Sequence, residues 1–243
     1  MAPIGIKISI CTPMNVFLTM VAAAAKVPGS FVEYMNPAVS TLNPYNLNFS
    51  FYVYGTLPVT LNKLVVHGSA FDTYDGIAIV GRRLSALADM GTLLLVMVIA
   101  HMLVKIYSLD KRIPYISGLL YAVAVLPIQN AHFFTVDSFL TFFVTLSFAC
   151  ALRARFGFPL IFVALAGSAF GLAMASKVSA IYAAPLIAGT LAYGAMVSYK
   201  AASAVRKLQT MLEWVLACAL FAVVAYTMLR VGDPRMFATN EFF

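Results

Sequence analysis

Charge is what this sequence has least of. Only 10% of its 243 residues are Asp, Glu, Lys or Arg, whereas 62% are hydrophobic and the mean hydropathy is +0.91. An ordinary soluble domain is about 25% charged and 45–50% apolar, so a soluble globular enzyme is excluded. Cysteine is scarce too: Cys11, Cys150 and Cys218 are odd in number and lack metal-ligand spacing, and two of them lie inside apolar runs. A disulfide framework is therefore excluded, and small core residues are expected. The sequence has no Ser-His-Asp pattern, Gly-rich phosphate loop, HExxH or CxxC, which removes support for the chemistries of soluble enzymes. It has no repeat of 20–50 residues. No cleavable leader is recognisable, because Lys7, Ile8–Cys11 and Pro13 run into an apolar stretch without a small-residue cleavage pattern.

Long apolar runs are what is present. Runs of roughly 18 to 22 residues, at 1.5 Å per helical residue, each match about 30 Å of hydrocarbon. The pattern predicts helical spans at 84–104, 113–130, 133–152, 158–176, 178–198 and 212–230. The expected fold is all-α: a polytopic transmembrane bundle of about six spans forming a single membrane domain over 1–243. Within it, 1–25 is an N-terminal portion, 26–83 a long loop, 84–230 the bundle and 231–243 a tail.

The net charge of +7 reads as topology, with no nucleic-acid partner. Lys105, Lys111, Arg112, Arg153, Arg155, Lys200, Arg206 and Lys207 fall in the loops after the first, third and fifth spans, opposed only by Asp110 and Glu213. The positive-inside rule makes these loops cytoplasmic. Lys63, Arg82, Arg83, Lys177, Arg230 and Arg235 share the other face with Glu33, Asp72, Asp75, Asp137, Asp233 and Glu241. This mixed face carries both 26–83 and the tail, and function is expected there.

Segment 26–83, with Pro28, Pro37, Pro44 and Pro58, is too long for a linker and too aromatic for disorder. Phe49, Phe51, Tyr52 and Tyr54 suit the membrane–water boundary, so short interfacial helices on the bilayer surface are predicted. The stretch 14–25 is apolar but below crossing length and is expected to be interfacial too.

Ionisable residues near membrane depth cost on the order of 3 kcal/mol at a helix centre and require a partner or a wet cavity. Asp137, opening the span 133–152 just after His132, suits a metal, a sugar hydroxyl or a basic partner, or simply a helix N-terminus. Lys177, between two spans, suits a phosphate, or snorkels. Arg82 and Arg83 open the first span and suit an anionic head group, specific or not. Asp89 faces a cavity or pairs with one of those arginines. His101 reads as a satisfied buried histidine, and His67 and Glu33 as loop residues. An outer cavity with an acid and phosphate-binding cations suits transfer from a lipid-phosphate donor, and equally a lipid transporter.

Five stretches resemble one family: Ser40–Asn46 (STLNPYN), Phe51–Pro58 (FYVYGTLP), Val80–Leu87 (VGRRLSAL), Leu126–Asp137 (LPIQNAHFFTVD) and Gly171–Lys177 (GLAMASK). In order and spacing they resemble the N-terminal membrane part of bacterial GT-C glycosyltransferases of the protein O-mannosyltransferase and aminoarabinose transferase type, glycosyltransferase family 39-like. The resemblance runs from about Thr12 to the last residue. It implies inverting transfer of a sugar from a polyprenyl-phosphate carrier to an unidentified acceptor, at the outer face of a bacterial inner membrane. Asp137 matches the acid of the HFxTxD stretch, Arg82 the arginine of GRxLSAL and Lys177 the lysine of GLAxAxK, and Tyr54 and His132 join them as substrate-binding residues. No cofactor is assigned, and a divalent metal is left open.

One departure bears on catalysis. Relatives carry a His-Pro-Asp-Glu-Arg-like stretch whose acid pair holds the presumed base, where this chain reads Thr12-Pro13-Met14-Asn15-Val16. Neither Met14 nor Asn15 takes a proton at neutral pH, and Glu33, about eighteen residues on, is a poor substitute. The resemblance thus predicts a portion of a longer transferase, altered in its first dozen residues, cut at its C-terminus and inactive alone. Three functions stay open: a glycosyltransferase, a noncatalytic binder or transporter of polyprenyl-phosphate lipid, or a subunit whose partner chain supplies the acid.

Overall fold

A computed structural model describes residues 13–49, 52–156 and 159–237; Cys11, Thr12, Phe51, Glu241 and the tail from 238 onward lie outside them. The described residues are helical and connecting segments, without a strand. In chain order the helices are α1 (Met14–Ala24), α2 (Phe31–Met35), α3 (Leu57–Val66), α4 (Tyr74–Tyr107), α5 (Ile113–Ala122), α6 (Val125–Ala131), α7 (Val136–Arg153), α8 (Pro159–Ser176), α9 (Ala184–Ala201) and α10 (Lys207–Gly232). A 3-10 turn over Val178–Ala183 leads into α9, and another over Pro234–Phe237 follows α10.

Four segments are long and apolar enough to cross a membrane: α4, α7 with the turn to Phe156, α9 with its leading turn, and α10 with the turn Ala204–Arg206 that leads into it. They carry the outward apolar stripes that lipid demands. On α4, Leu87, Met90, Leu94 and Val98 recur at helical spacing and are 62%, 63%, 61% and 49% exposed, a contiguous patch that water would not tolerate. This is an integral membrane protein. The expected span 113–130 is not one helix: α5 and α6 meet at a 58° bend and make a fifth crossing only if taken together. The break falls at Val123-Ala124, where Ala124 adopts an extended backbone and leaves the preceding carbonyls to close a turn. At 18 residues, α8 rises about 27 Å, just under the hydrocarbon thickness.

Close packing sets the helix directions. Gly167, Gly171 and Ala175 form a small-residue stripe on α8. A Cβ on Gly167 would meet the Phe221 carbonyl oxygen, one on Gly171 that of Ala225, and one on Gly232 the Ala175 side chain. The numbers rise together, so α8 and α10 run parallel with backbones nearly touching, as small-xxx-small stripes allow. Ser147 of α7 donates to the Ala166 carbonyl of α8 at 2.8 Å. Cys150, Ala151 and Ala154 meet Val163, Ala166, Ile187 and Trp214 in one core. Met102 of α4 packs on Ala149 and Leu152 of α7, while Thr135 N–H donates to Ser85 Oγ at 3.3 Å, which makes α4 and α7 parallel. The bundle thus has a basic end, where α4, α7 and α9 finish, and an opposite end, where α8 and α10 finish.

Segment 26–83 does form short helices, yet much of it is covered by protein. Thr73 caps α4, its hydroxyl accepting from Gly76 N–H, so the helix begins ten residues before the expected 84. Arg82 and Arg83 therefore lie two turns inside α4 and do not open it; helix propagation runs past charges that a hydropathy window rejects. Phe49 and Tyr52, expected at the membrane–water boundary, are 7% and 2% exposed. They join Phe17, Leu18 and Val21 of α1, Val59 of α3, Ile77 of α4 and Phe134 in a second core. α1 is short, as expected, but its apolar face is turned onto this core. Cys150 is buried, whereas Cys218 is exposed, and both are free thiols. His101 also departs from expectation and lies exposed on α4.

Candidate functional site

At the opposite end from the basic loops, two of the expected residues meet. Asp137 stands in the first turn of α7. Lys177 follows α8 in an extended conformation as the cap of the next turn. Lys177 Nζ donates to Asp137 Oδ1 at 2.7 Å, with each side chain 31% exposed. Of the readings open to Asp137, the structure takes the basic partner. A carboxylate at a helix N-terminus is favoured by the macrodipole, and the ammonium adds to that.

The loop 52–56 is fixed against this corner. Gly55 N–H donates to the Ser176 carbonyl at 3.0 Å, one residue before Lys177. The approach is so close that a Cβ at Gly55 would overlap the backbone of Ala175; only glycine fits. Thr56, the next residue, donates from N–H and Oγ1 to the two oxygens of Asp233, at 3.3 and 2.9 Å.

Asp233 was expected as part of a mixed outer face and is instead wholly buried, its side chain 0% exposed. Arg235 reaches it at 3.3 Å and also donates to the carbonyls of Tyr52 and Tyr54, at 2.8 and 2.7 Å. The Arg235 guanidinium lies 5.0 Å from the Tyr52 ring centre and 5.5 Å from that of Tyr45. Arg230 donates to the carbonyls of Pro234 and Met35, and the Tyr34 hydroxyl to that of Val231 at 2.6 Å. Burial pushes the Asp233 carboxyl above its usual range, although Arg235 and Thr56 pull the other way. Burial and the nearby Asp233 carboxylate push the Tyr34 phenol up to about 12. Beside this clasp is a small pocket lined by Tyr34, Asn43, Thr56, Pro234 and Arg235 among others, with space for about one water. None of the candidate catalytic or substrate-binding residues read from sequence lines it, although Arg235 was placed on this face. The sequence signals were two of the quoted stretches: STLNPYN supplies Ser40, Leu42 and Asn43 to the lining, and FYVYGTLP presents carbonyls and Thr56 to Asp233 and Arg235.

The other expected site residues are spread around this end. Arg82 is exposed and makes no ion pair or hydrogen bond to the described residues, although its neighbour Gly81 packs under the Phe134 ring. Arg83 lies 6.0 Å over Phe71. His132 is exposed, with Nδ1 2.7 Å from the Ile128 carbonyl. Tyr54 is half-buried and meets Tyr52 edge-on. Met14 packs against the core formed by Phe17, Tyr52 and their neighbours, and the Asn15 carbonyl accepts from Thr19 Oγ1 at 2.7 Å. Glu33 serves as a helix cap: its carboxylate accepts from Gly29 N–H at 2.8 Å while Ser30 Oγ accepts from Glu33 N–H.

Asp89 was expected to pair with an arginine. Its partner is the Tyr121 hydroxyl of α5, donating at 2.7 Å, a residue 32 positions away that helix periodicity alone does not bring near. Lys63 and Asp72 form a further ion pair, at 2.6 Å, with the lysine side chain only 6% exposed. Among the described residues no three His, Cys, Asp or Glu side chains gather as a metal site would need. Against protein-family models, curated proteins and solved structures, the chain gives no match.

Proposed function

We propose that the chain is a membrane glycosyltransferase, or the donor-binding part of one, moving a sugar from a polyprenyl-phosphate carrier to an acceptor at the outer face. The observation that carries this is the Asp137–Lys177 pair: an acid and a cation delivered by two helices to one bundle end, each about a third exposed. The five stretches resembling the GT-C family lend support, because FYVYGTLP and GLAMASK also meet through Gly55 and Ser176. Counting α5 with α6 as one crossing and α8 as another gives six spans, with the basic loops cytoplasmic.

In this reading the acceptor hydroxyl attacks the anomeric carbon, the carbon–oxygen bond to phosphate breaks, and polyprenyl phosphate leaves with the electron pair and takes up the hydroxyl's proton. Lys177 exchanges Asp137 for a phosphate oxygen, and Arg82, exposed on α4, supplies a second cation. Asp137, released, accepts a hydrogen bond from a sugar or acceptor hydroxyl. His132 and Tyr54 border the sugar.

The test is transfer from a labelled polyprenyl-phosphate sugar by chain reconstituted in vesicles. Transfer that falls sharply in Asp137→Asn supports the reading; unchanged transfer removes Asp137 from the site. A second reading has its own observation. Met14 and Asn15 stand where relatives hold an acid pair, and Met14 is packed as a core residue. Donor binding without turnover would make the chain a lipid-carrier binder, or a subunit completed by a partner's acid.

A further inference from the structure

Among the described residues, the two arginines that end α7 find no hydrogen-bond acceptor for Nη1. Arg153 closes the helix and Arg155 lies in the turn Ala154–Phe156 that follows. In each, Nη1 is shielded from solvent and has no hydrogen-bond partner. Covered guanidinium N–H groups without an acceptor carry the full cost of lost hydration. Aromatic rings hold both groups in place. Arg153 lies 4.7 Å from the Phe162 ring centre and 5.9 Å from that of Phe156; Arg155 lies 5.1 Å from that of Tyr193. A ring face attracts the cation but offers the N–H no oxygen.

No carboxylate supplies one. Eight basic residues share this end with Asp110 and Glu213 alone. Asp110 accepts from Arg112 N–H at 2.8 Å, Glu213 accepts from Gln209 at 2.9 Å, and neither pairs with Arg153 or Arg155. What these groups lack is a compact anion with several acceptor oxygens. Each residue is only half-buried, and phosphate matches the planar guanidinium fork as a carboxylate does, with more acceptor oxygens.

We propose that Arg153 and Arg155 form a phosphate-binding site at the basic end of the bundle, where α7 gives way to α8 and α9. It stands apart from the Asp137–Lys177 corner and rests on none of the reasoning about sugar transfer. Both sources of the group, a lipid phosphodiester and free phosphate, share the chemistry. The end of an apolar helix is where a headgroup lies.

The experiment is thermal unfolding of the purified chain in neutral detergent, titrated with short-chain phosphatidylglycerol, short-chain phosphatidylcholine or inorganic phosphate. An anion-dependent rise in midpoint is expected, with apparent affinity about tenfold weaker in Arg153→Gln/Arg155→Gln. It should stay within about threefold in Lys200→Gln/Arg206→Gln/Lys207→Gln, which lowers the general field of that end but keeps the site. Arg153→Lys/Arg155→Lys, which retains charge without the fork, should fall between, and it serves if the glutamine variant does not fold. A rise with phosphatidylglycerol alone assigns the lipid headgroup; one that inorganic phosphate reproduces assigns the free ion. Absence of any anion-dependent rise, or equal weakening in the arginine and Lys200/Arg206/Lys207 variants, overturns the proposal.

Discussion

Lys177 and Asp137, forty residues apart in sequence, neutralise one another across 2.7 Å at the junction of α7 and α8. A pair about a third exposed contributes only about 0–1 kcal/mol to stability. Lys177→Ala should therefore lower the unfolding midpoint by about 2–4 °C at most, about 1 kcal/mol or less, while weakening polyprenyl-phosphate binding at least about tenfold. Calorimetry and lipid titration on one preparation separate the two effects. A large stability loss with unaltered binding would make the pair a structural clamp.

The position where the resembled family carries its acid pair makes a prediction about Asn15. If an acid there accepts the acceptor's proton, Asn15→Asp should raise transfer by about 10²-fold or more. Met14→Asp should instead cost stability, because the side chain packs on the core around Phe17 and Tyr52. Initial-rate assays and thermal scans of both variants check this. Equal rates for Asn15→Asp and wild type would separate residue 15 from proton transfer.

Asp233 predicts a pH dependence of stability. Its folded carboxyl titrates above the ordinary value near pH 3.9, so the native state holds the proton more tightly than the unfolded chain. Stability then declines as pH rises from about 4 to the folded value, and is flat above it. Asp233→Asn, which cannot ionise, should lack that decline. Thermal midpoints from pH 4 to 8 give the slope, and a parallel decline in the variant would place its origin elsewhere.

Tyr121→Phe removes only the hydroxyl that Asp89 accepts from. A half-buried carboxylate at membrane depth then loses its donor, at about 1–3 kcal/mol. In the double variant Tyr121→Phe/Asp89→Leu the loss should shrink. Additive single effects, measured by detergent unfolding, would mean that the two residues are not coupled.

Packing of α8 on α10 gives the sharpest structural test. A side chain at Gly171 meets the Ala225 carbonyl oxygen and the Leu229 amide, which are backbone atoms and do not yield. Gly171→Val should destabilise by about 1–3 kcal/mol or more, whereas Gly189→Ala, at a position with no neighbour within 4 Å, should be neutral or mildly stabilising. Equal midpoints for the two variants would contradict the parallel α8–α10 contact.

Much of the bundle was legible because lipid imposes length and apolarity on each helix. The start of α7 to within three residues, the helical turn from Val178 that leads into α9, and the place of Lys177 between two helices followed from that. What hydropathy missed has physical causes. Arg82 and Arg83 disguised the first ten residues of α4, since a helix with an outer-facing polar stretch keeps its hydrogen bonds regardless of its composition. The 58° bend did carry a local sign that the hydropathy run hid: Pro127, in the first turn of α6, offers no N–H to the Val123 carbonyl four residues back and crowds it, which breaks a continuous helix there. Phe49 and Tyr52 read as boundary aromatics because periodicity cannot tell a ring facing headgroups from one facing α1. The Asp233 clasp was hidden for another reason: its partners, Thr56 and the carbonyls of Tyr52 and Tyr54, are about 180 residues away, and carbonyls leave no mark on side-chain identity.

That separation also bears on the order of assembly. The Thr56–Asp233 contact spans 177 residues, about four-fifths of the range from 13 to 237. Loop closure over that distance is slow relative to helix formation. During synthesis the segment around Tyr52–Thr56 emerges early and waits, its Gly55 N–H lacking Ser176 until α8 is in place and its Thr56 lacking Asp233 until α10 has been inserted. Cleavage within this segment by an added protease, followed on nascent chains of increasing length, should therefore persist until residue 235 has left the ribosome, and then cease.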